Sequence, residues 1–167
     1  RSLDEGLSWS VDTRLTTNAN NSILPSVSSL GLIVNVISID NRDGNYEVYY
    51  KRSTDAGVSW GSDTRLTNNA SVSLMASSAI SGSMVHVVWD DMRDGPNEIY
   101  YKRSTDEGTT WSADTRLTSN SGVSWFPSLA VFSSLVQVSW VEQSDGNPEI
   151  YSKRSTDAGV TWEANLR

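Results

Sequence analysis

Cysteine is absent from the 167 residues, so no disulfide can hold this chain together. Stability must come from packed apolar and aromatic surface. Phenylalanine is scarce, at 2 residues against 7 Trp and 6 Tyr, and these amphipathic rings suit positions with one polar edge near water. Positive charge is also short: 13 Lys and Arg face 20 Asp and Glu, a net charge of -7. Nucleic acid and anionic membrane surfaces both demand a basic patch, so neither is an expected partner. No apolar run approaches a membrane span, and no signal-peptide pattern is visible. With a single His and no Cys, no metal-ligand spacing appears, no phosphate loop follows a strand, and neither metal nor cofactor is expected. A 3.6-residue hydrophobic period is missing throughout, because Ser, Thr, Asn and Gly interrupt every window; helix is nearly excluded.

What the chain does have is a repeat. Arg1-Ser2-Leu3-Asp4-Glu5-Gly6-Leu7-Ser8-Trp9 returns as Arg52 to Trp60, as Arg103 to Trp111 and as Arg154 to Trp162, each 51 positions on. Other columns keep the register: Asp43-Gly44, Asp94-Gly95 and Asp145-Gly146; Tyr49, Tyr100 and Tyr151; Arg14, Arg65 and Arg116. The chain opens in the middle of a repeat, so the natural start is expected to lie upstream.

Each period reads as four short strands. In the second they are expected at Met75–Ile80, Met84–Trp89, Glu98–Arg103 and Thr110–Leu117. Asp-Gly turns separate the second and third strands, and Asp-x-Gly turns the third and fourth. Four antiparallel strands per 40 to 50 or so residues is the signature of a β-propeller blade. The expected fold is therefore all-β: three tandem four-stranded blades at approximately 17–67, 68–118 and 119–167, with 1–16 as an extra outer strand and turn.

The repeated Ser-x-Asp-x-Gly-x-(Ser/Thr)-Trp segment resembles the Asp box, or bacterial neuraminidase repeat, of sialidases and other β-propellers. Its residues here are Asp4, Gly6, Trp9; Asp55, Gly57, Trp60; Asp106, Gly108, Trp111; and Asp157, Gly159, Trp162. A short carboxylate can accept hydrogen bonds from its own turn, and the glycine can supply a positive φ. The tryptophan is expected to start the outer strand and pack between blades. Metal binding or acid catalysis by these aspartates is the weaker reading, because a residue present in every blade answers a need of every blade.

Loops in such a blade alternate between two faces. One face gathers the turns 40–46, 91–97 and 142–148 with the links 17–22, 68–73 and 119–124. The resemblance implies that this face carries the substrate site of sialidases. Candidate ligand-binding residues on it are Asp40, Arg42, Asp91, Arg93 and Trp125, beside the plain alternative of solvated turns. Departures from the repeat are the most informative positions. Trp125 stands where the earlier copies have Ile23 and Leu74, and Ser38 stands where the later ones have Trp89 and Trp140. His86 aligns with Asn35 and Gln137 and reads as a polar strand residue.

The resemblance also sets a test for catalysis. Sialidases carry an arginine triad, a tyrosine–glutamate nucleophile pair, an acid–base aspartate and a Phe/Tyr-Arg-Ile-Pro segment. The nearest segment here, Trp125-Phe126-Pro127-Ser128, lacks the arginine, and every arginine lies in a repeat column or, as Arg167, at the end of the fourth copy. No catalytic residue is assigned. The reading is a non-catalytic binding or structural module for carbohydrate or protein; the alternative is a portion of a sialidase-like hydrolase whose catalytic residues lie elsewhere. A secreted or surface location follows from the resemblance alone. Three blades do not close a ring. The expectation is a homodimer completing six blades, or a fragment of a longer array.

Overall fold

The computed structural model describes residues 1–166; Arg167 lies outside the described residues. Among the described residues, eleven strands and no helix are formed, in three antiparallel sheets. The first holds β1 (Ser22–Leu30), β2 (Ile33–Asp40), β3 (Glu47–Ser53) and β4 (Thr64–Arg65) in that order. The second repeats it with β5 (Ser73–Ser81), β6 (Met84–Asp91), β7 (Glu98–Ser104) and β8 (Thr115–Arg116). The third has β9 (Ser124–Phe132), β10 (Leu135–Glu142) and β11 (Glu149–Ser155), with one isolated bridge, Ser152 to Leu166, in the fourth position.

The first strands of the sheets lie against one another, β1 on β5 and β5 on β9, so the sheets radiate from a common line. Period-2 alternation aims one set of residues at each neighbour. Ile37, Ile39, Val48 and Tyr50 of the first sheet bury against Val85, Val87, Trp89 and Tyr100 of the second. The opposite face of the second sheet, with Val88, Ile99 and Tyr101, buries against Val136, Val138 and Trp140 of the third. Sandwiched on both faces, β6 is buried from Val85 to Asp91.

Two strand expectations need correction. The fourth strand, expected over Thr110–Leu117, is only Thr115–Arg116. Turn geometry extends to Ser112, whose N–H bonds the Arg103 carbonyl, and Asp114 is then drawn to Arg93 and Lys102 instead of continuing the ladder. Residues 1–16 form no strand. A fourth strand needs the third strand of its own blade as a template, and no described strand pairs with this segment.

Candidate functional site

Within each sheet the turn after the third strand lies beside the turn between the first two. The Ala56, Glu107 and Ala158 N–H groups bond the Leu32, Ser83 and Ser134 carbonyls. At the other end, the links run beside the turns between second and third strands, as Ser73 N–H bonds Tyr46 O and Ser124 N–H bonds Asn97 O.

The Ser-x-Asp-x-Gly turns are self-contained. Asp55 Oδ1 accepts the Ser53 hydroxyl at 2.7 Å and the Ser59 N–H at 2.8 Å, and the Gly57 N–H donates to Ser53 Oγ at 2.8 Å. Asp4, Asp106 and Asp157 make the same bonds with Ser2 and Ser8, Ser104 and Thr110, and Ser155 and Thr161. Donors from Ser59, Ser8 and Thr110 hold the Asp55, Asp4 and Asp106 carboxyls down at about 2. Trp111 meets Tyr50 of the preceding sheet edge-on at 5.0 Å, and Trp162 meets Tyr101 at 4.9 Å. Trp60 is half-buried, and Trp9 is 72% exposed.

Four of the five expected ligand contacts are occupied by the fold. Arg42 bonds Asp40 and Asp63, both at 2.7 Å, and lies over the Tyr49 ring at 4.3 Å. Arg93 repeats this with Asp91, Asp114 and Tyr100. Lys51 and Lys102 take the other oxygens of Asp63 and Asp114. Each cluster ties the turn after the second strand to the chain entering the fourth. Burial pushes the Asp40 carboxyl up, but donors from Arg42, Ser22 and Asn18 outweigh it and hold the group well below the usual range. The third sheet carries Ser144 in place of this arginine. There Gly122 approaches so closely that a Cβ on it would lie 2.6 Å from the Ser144 Cα.

Trp125 lies instead at the common line of the sheets. Each first strand carries a two-residue bulge at its start: Leu24-Pro25 opposite Ser38, Met75-Ala76 opposite Trp89, and Phe126-Pro127 opposite Trp140. Leu24, Met75 and Phe126 have φ of 51°, 49° and 54°, the left-handed region that bulky residues resist. The six bulge residues line one shallow cleft of about 250 Å³. The bulge recurs in every sheet and serves the sheet; its contents do not recur. In the third, Trp125 and Phe126 stand edge to face at 6.4 Å, with Trp125 half-buried and Phe126 55% exposed.

Behind this bulge lies Asp90, which the repeat analysis did not single out. It stands in a column otherwise filled by Ile39 and Val141. Only 2% exposed, its Oδ2 accepts the Phe126 N–H at 3.4 Å. Burial, with Asp91 nearby, raises its carboxyl to about 6. The break in an apolar column was its sequence signal. No such signal marks Leu24, Met75 or Phe126, because large apolar residues carry no turn chemistry. Among the described residues, no group of three or more His, Cys, Asp or Glu is placed to hold a metal ion.

With this geometry in view, comparison with solved structures gives the fold. The blades are those of a sialidase-like β-propeller. Trypanosoma rangeli sialidase superposes at a TM-score of 0.62 with 16% identity, over 97% of this chain and 31% of the sialidase. Its complex with the inhibitor DANA gives 0.62 and 16%, over 97% and 32%. The catalytic domain of the Coprinopsis cinerea GH62 α-L-arabinofuranosidase gives 0.53 and 15%, over 85% of this chain and 49% of that one. The chain thus spans about a third of the length of the sialidases it matches. No family model matches it, and no curated protein does.

Proposed function

We propose that this chain is a non-catalytic propeller module of the Asp-box type, with blades at approximately 17–67, 68–118 and 119–167, that binds uncharged carbohydrate at the axial end of its blades. The observation that carries the reading is Phe126, 55% exposed in the lining of the axial cleft, with Trp125 edge to face beside it at 6.4 Å. An exposed aromatic face stacks on a pyranose ring, and Phe126 is held on a strand rather than a mobile loop. Asp90 fixes the Phe126 backbone from behind. A buried carboxylate with one long hydrogen bond is costly to keep, which points to a role in the site rather than in the fold.

The charge pattern favours an uncharged ligand. Arg42, Arg93, Arg65, Arg116, Arg52 and Arg154 are all in ion pairs with carboxylates of the fold. A sialate carboxylate clamp drawn from these six would have to strip one of them from its partner, while Arg1, Arg14 and Arg103 bond backbone carbonyls. That the similar structures are a sialidase and an arabinofuranosidase adds weight to a sugar over a protein ligand, and an extracellular setting is part of the same proposal. We further propose that a second copy of the chain completes the ring around the axis.

A glycan array probed with the labelled chain tests the reading, run beside a fluorogenic sialoside assay. Selective binding to neutral glycans without sialoside turnover is expected. Sialoside hydrolysis lost on substitution of Arg42 or Arg93 would overturn it.

A further inference from the structure

In the second and third sheets a tryptophan faces the preceding sheet. Trp89 stacks on Tyr100 at 6.0 Å between centroids and 25° between planes, and Trp140 on Tyr151 at 6.4 Å and 27°. Each indole N–H reaches the carboxylate two residues on, Trp89 to Asp91 Oδ2 at 2.9 Å and Trp140 to Glu142 Oε2 at 3.1 Å. In the first sheet the same register pairs Tyr49 with Ser38. The groups of its own sheet around the missing ring are retained, while the preceding sheet that buries Trp89 has no counterpart here among the described residues. Arg42 covers Tyr49 as Arg93 covers Tyr100. Asp40 Oδ2 accepts from Asn18, Ser22 and Arg42, as Asp91 Oδ2 does from Asn69, Ser73 and Arg93; only the fourth donor, the indole N–H, is lacking.

The space left is a pocket of about 200 Å³ whose walls include Ser38, Tyr49, Ile23, Pro25, Val36 and Ser22. An apolar protein cavity of about 150 Å³ accommodates benzene, so this one is of the size for one fused ring system. Its exposed wall is chiefly apolar; the Ser22 hydroxyl, which donates to Asp40 at 2.7 Å, is one polar feature, and the Lys51–Asp63 ion pair, at 2.8 Å, is another. Among the described residues no aromatic ring pairs with Tyr49.

From this we infer that the Ser38 pocket is a binding slot for a flat aromatic group carrying an N–H donor, of the indole type. The ring would stack on Tyr49 between Ile23 and Val36, with its N–H directed at the Ser22–Asp40 end. The template for the ligand is the chain's own Trp89 in its own-sheet contacts with Tyr100 and Asp91, one repeat away. This inference does not depend on the saccharide reading, which concerns the axial cleft.

Free indole is the probe, followed by amide chemical shifts of the whole chain. The expected result is saturable shifts confined to residues around Tyr49 and Val36, with a Kd on the order of 0.1 mM, within what so small a ligand can supply. Ser38→Trp fills the slot with the side chain the other sheets use, and should weaken indole binding by at least about tenfold while raising Tm. Should that variant not fold, Ser38→Leu fills part of the space and should also weaken binding. 1-Benzothiophene, which keeps the shape and lacks the N–H, should bind several-fold more weakly. No shifts up to the solubility of indole, or wild-type affinity in the filled variants, would overturn the inference. Equal affinity for benzothiophene would overturn the role of the Ser22–Asp40 end.

Discussion

Asp90 and His86 lie on the same face of β6, toward the third sheet, and their titrations oppose each other. Burial, with help from Arg103, lowers His86 to about 4, and its Nδ1 bonds the Tyr101 hydroxyl at 2.6 Å. This is the place Asn35 takes against Tyr50 in the first sheet, so the neutral ring is a hydrogen-bonding strand residue. A histidine depressed in the fold loses stability as pH falls from about 6.5 towards about 4. A carboxylate raised to about 6 does the reverse: the fold is penalised as pH rises from about 3.8 to about 6. The contributions of these two groups should therefore largely cancel between pH 4 and 7. Asp90→Asn should gain about 1–3 kcal/mol at pH 7, and its stability should then fall on acidification, with His86 unopposed. Urea midpoints at pH 4 and 7 check this; a loss of stability in Asp90→Asn at pH 7 would show that the carboxylate is well solvated or paired.

Among the elements, the repeated turns differ in what stands against them. Gly57, Gly108 and Gly159 all have positive φ. A Cβ on Gly108 would overlap the Tyr50 ring, and one on Gly159 the Tyr101 ring, whereas at Gly57 the nearest atom is Trp60 at 3.6 Å. All three Gly→Ala changes share the backbone cost, and only two add a clash between sheets. Gly108→Ala should be worse than Gly57→Ala by about 1–3 kcal/mol in chemical denaturation. Equal losses would mean that Tyr50 is free to move away.

These turns were legible in the sequence because their bonds are local: Ser53, Asp55, Gly57 and Ser59 bond within seven residues. The second strand was legible from its alternation, and the third from its run of Ile99, Tyr100 and Tyr101. The fourth was not, because Asp114 answers to Arg93, 21 positions earlier, and period-2 reasoning has no term for a long-range ion pair. The ion pairs that engage the ligand candidates Arg42 and Arg93 with Asp63 and Asp114 are equally long-range and equally invisible in the sequence. Ser38 was visible as a departure from its column, but only the retained Tyr49, Arg42 and Asp40 environment shows that the departure leaves a slot.

On the scale of the molecule, the arc has two open sides. The first sheet presents Val36, Ser38 and Tyr49, and the third presents Ile150, which is 65% exposed. The turn at 1–9 sits on the first sheet, with the Arg1 guanidinium donating to Ala56 O at 3.2 Å, as Arg103 does to Ala158 O at 2.6 Å. Arg154 turns back to its own Glu163 at 2.7 Å. If a second copy closes the ring, its Arg154 and the resident Arg1 compete for one carbonyl. Light scattering at micromolar concentration should give the dimer mass, and a monodisperse monomer would rule the ring out. Deleting residues 1–14 should lower Tm if the N-terminal turn holds the junction.

Carbohydrate binding at the axial cleft is open to one direct titration. Calorimetry of the strongest neutral glycan from the array against wild type and Phe126→Ala should show the variant weakened by at least about tenfold, with the β-sheet spectrum intact. Equal affinity in the two proteins would contradict the placement of the site.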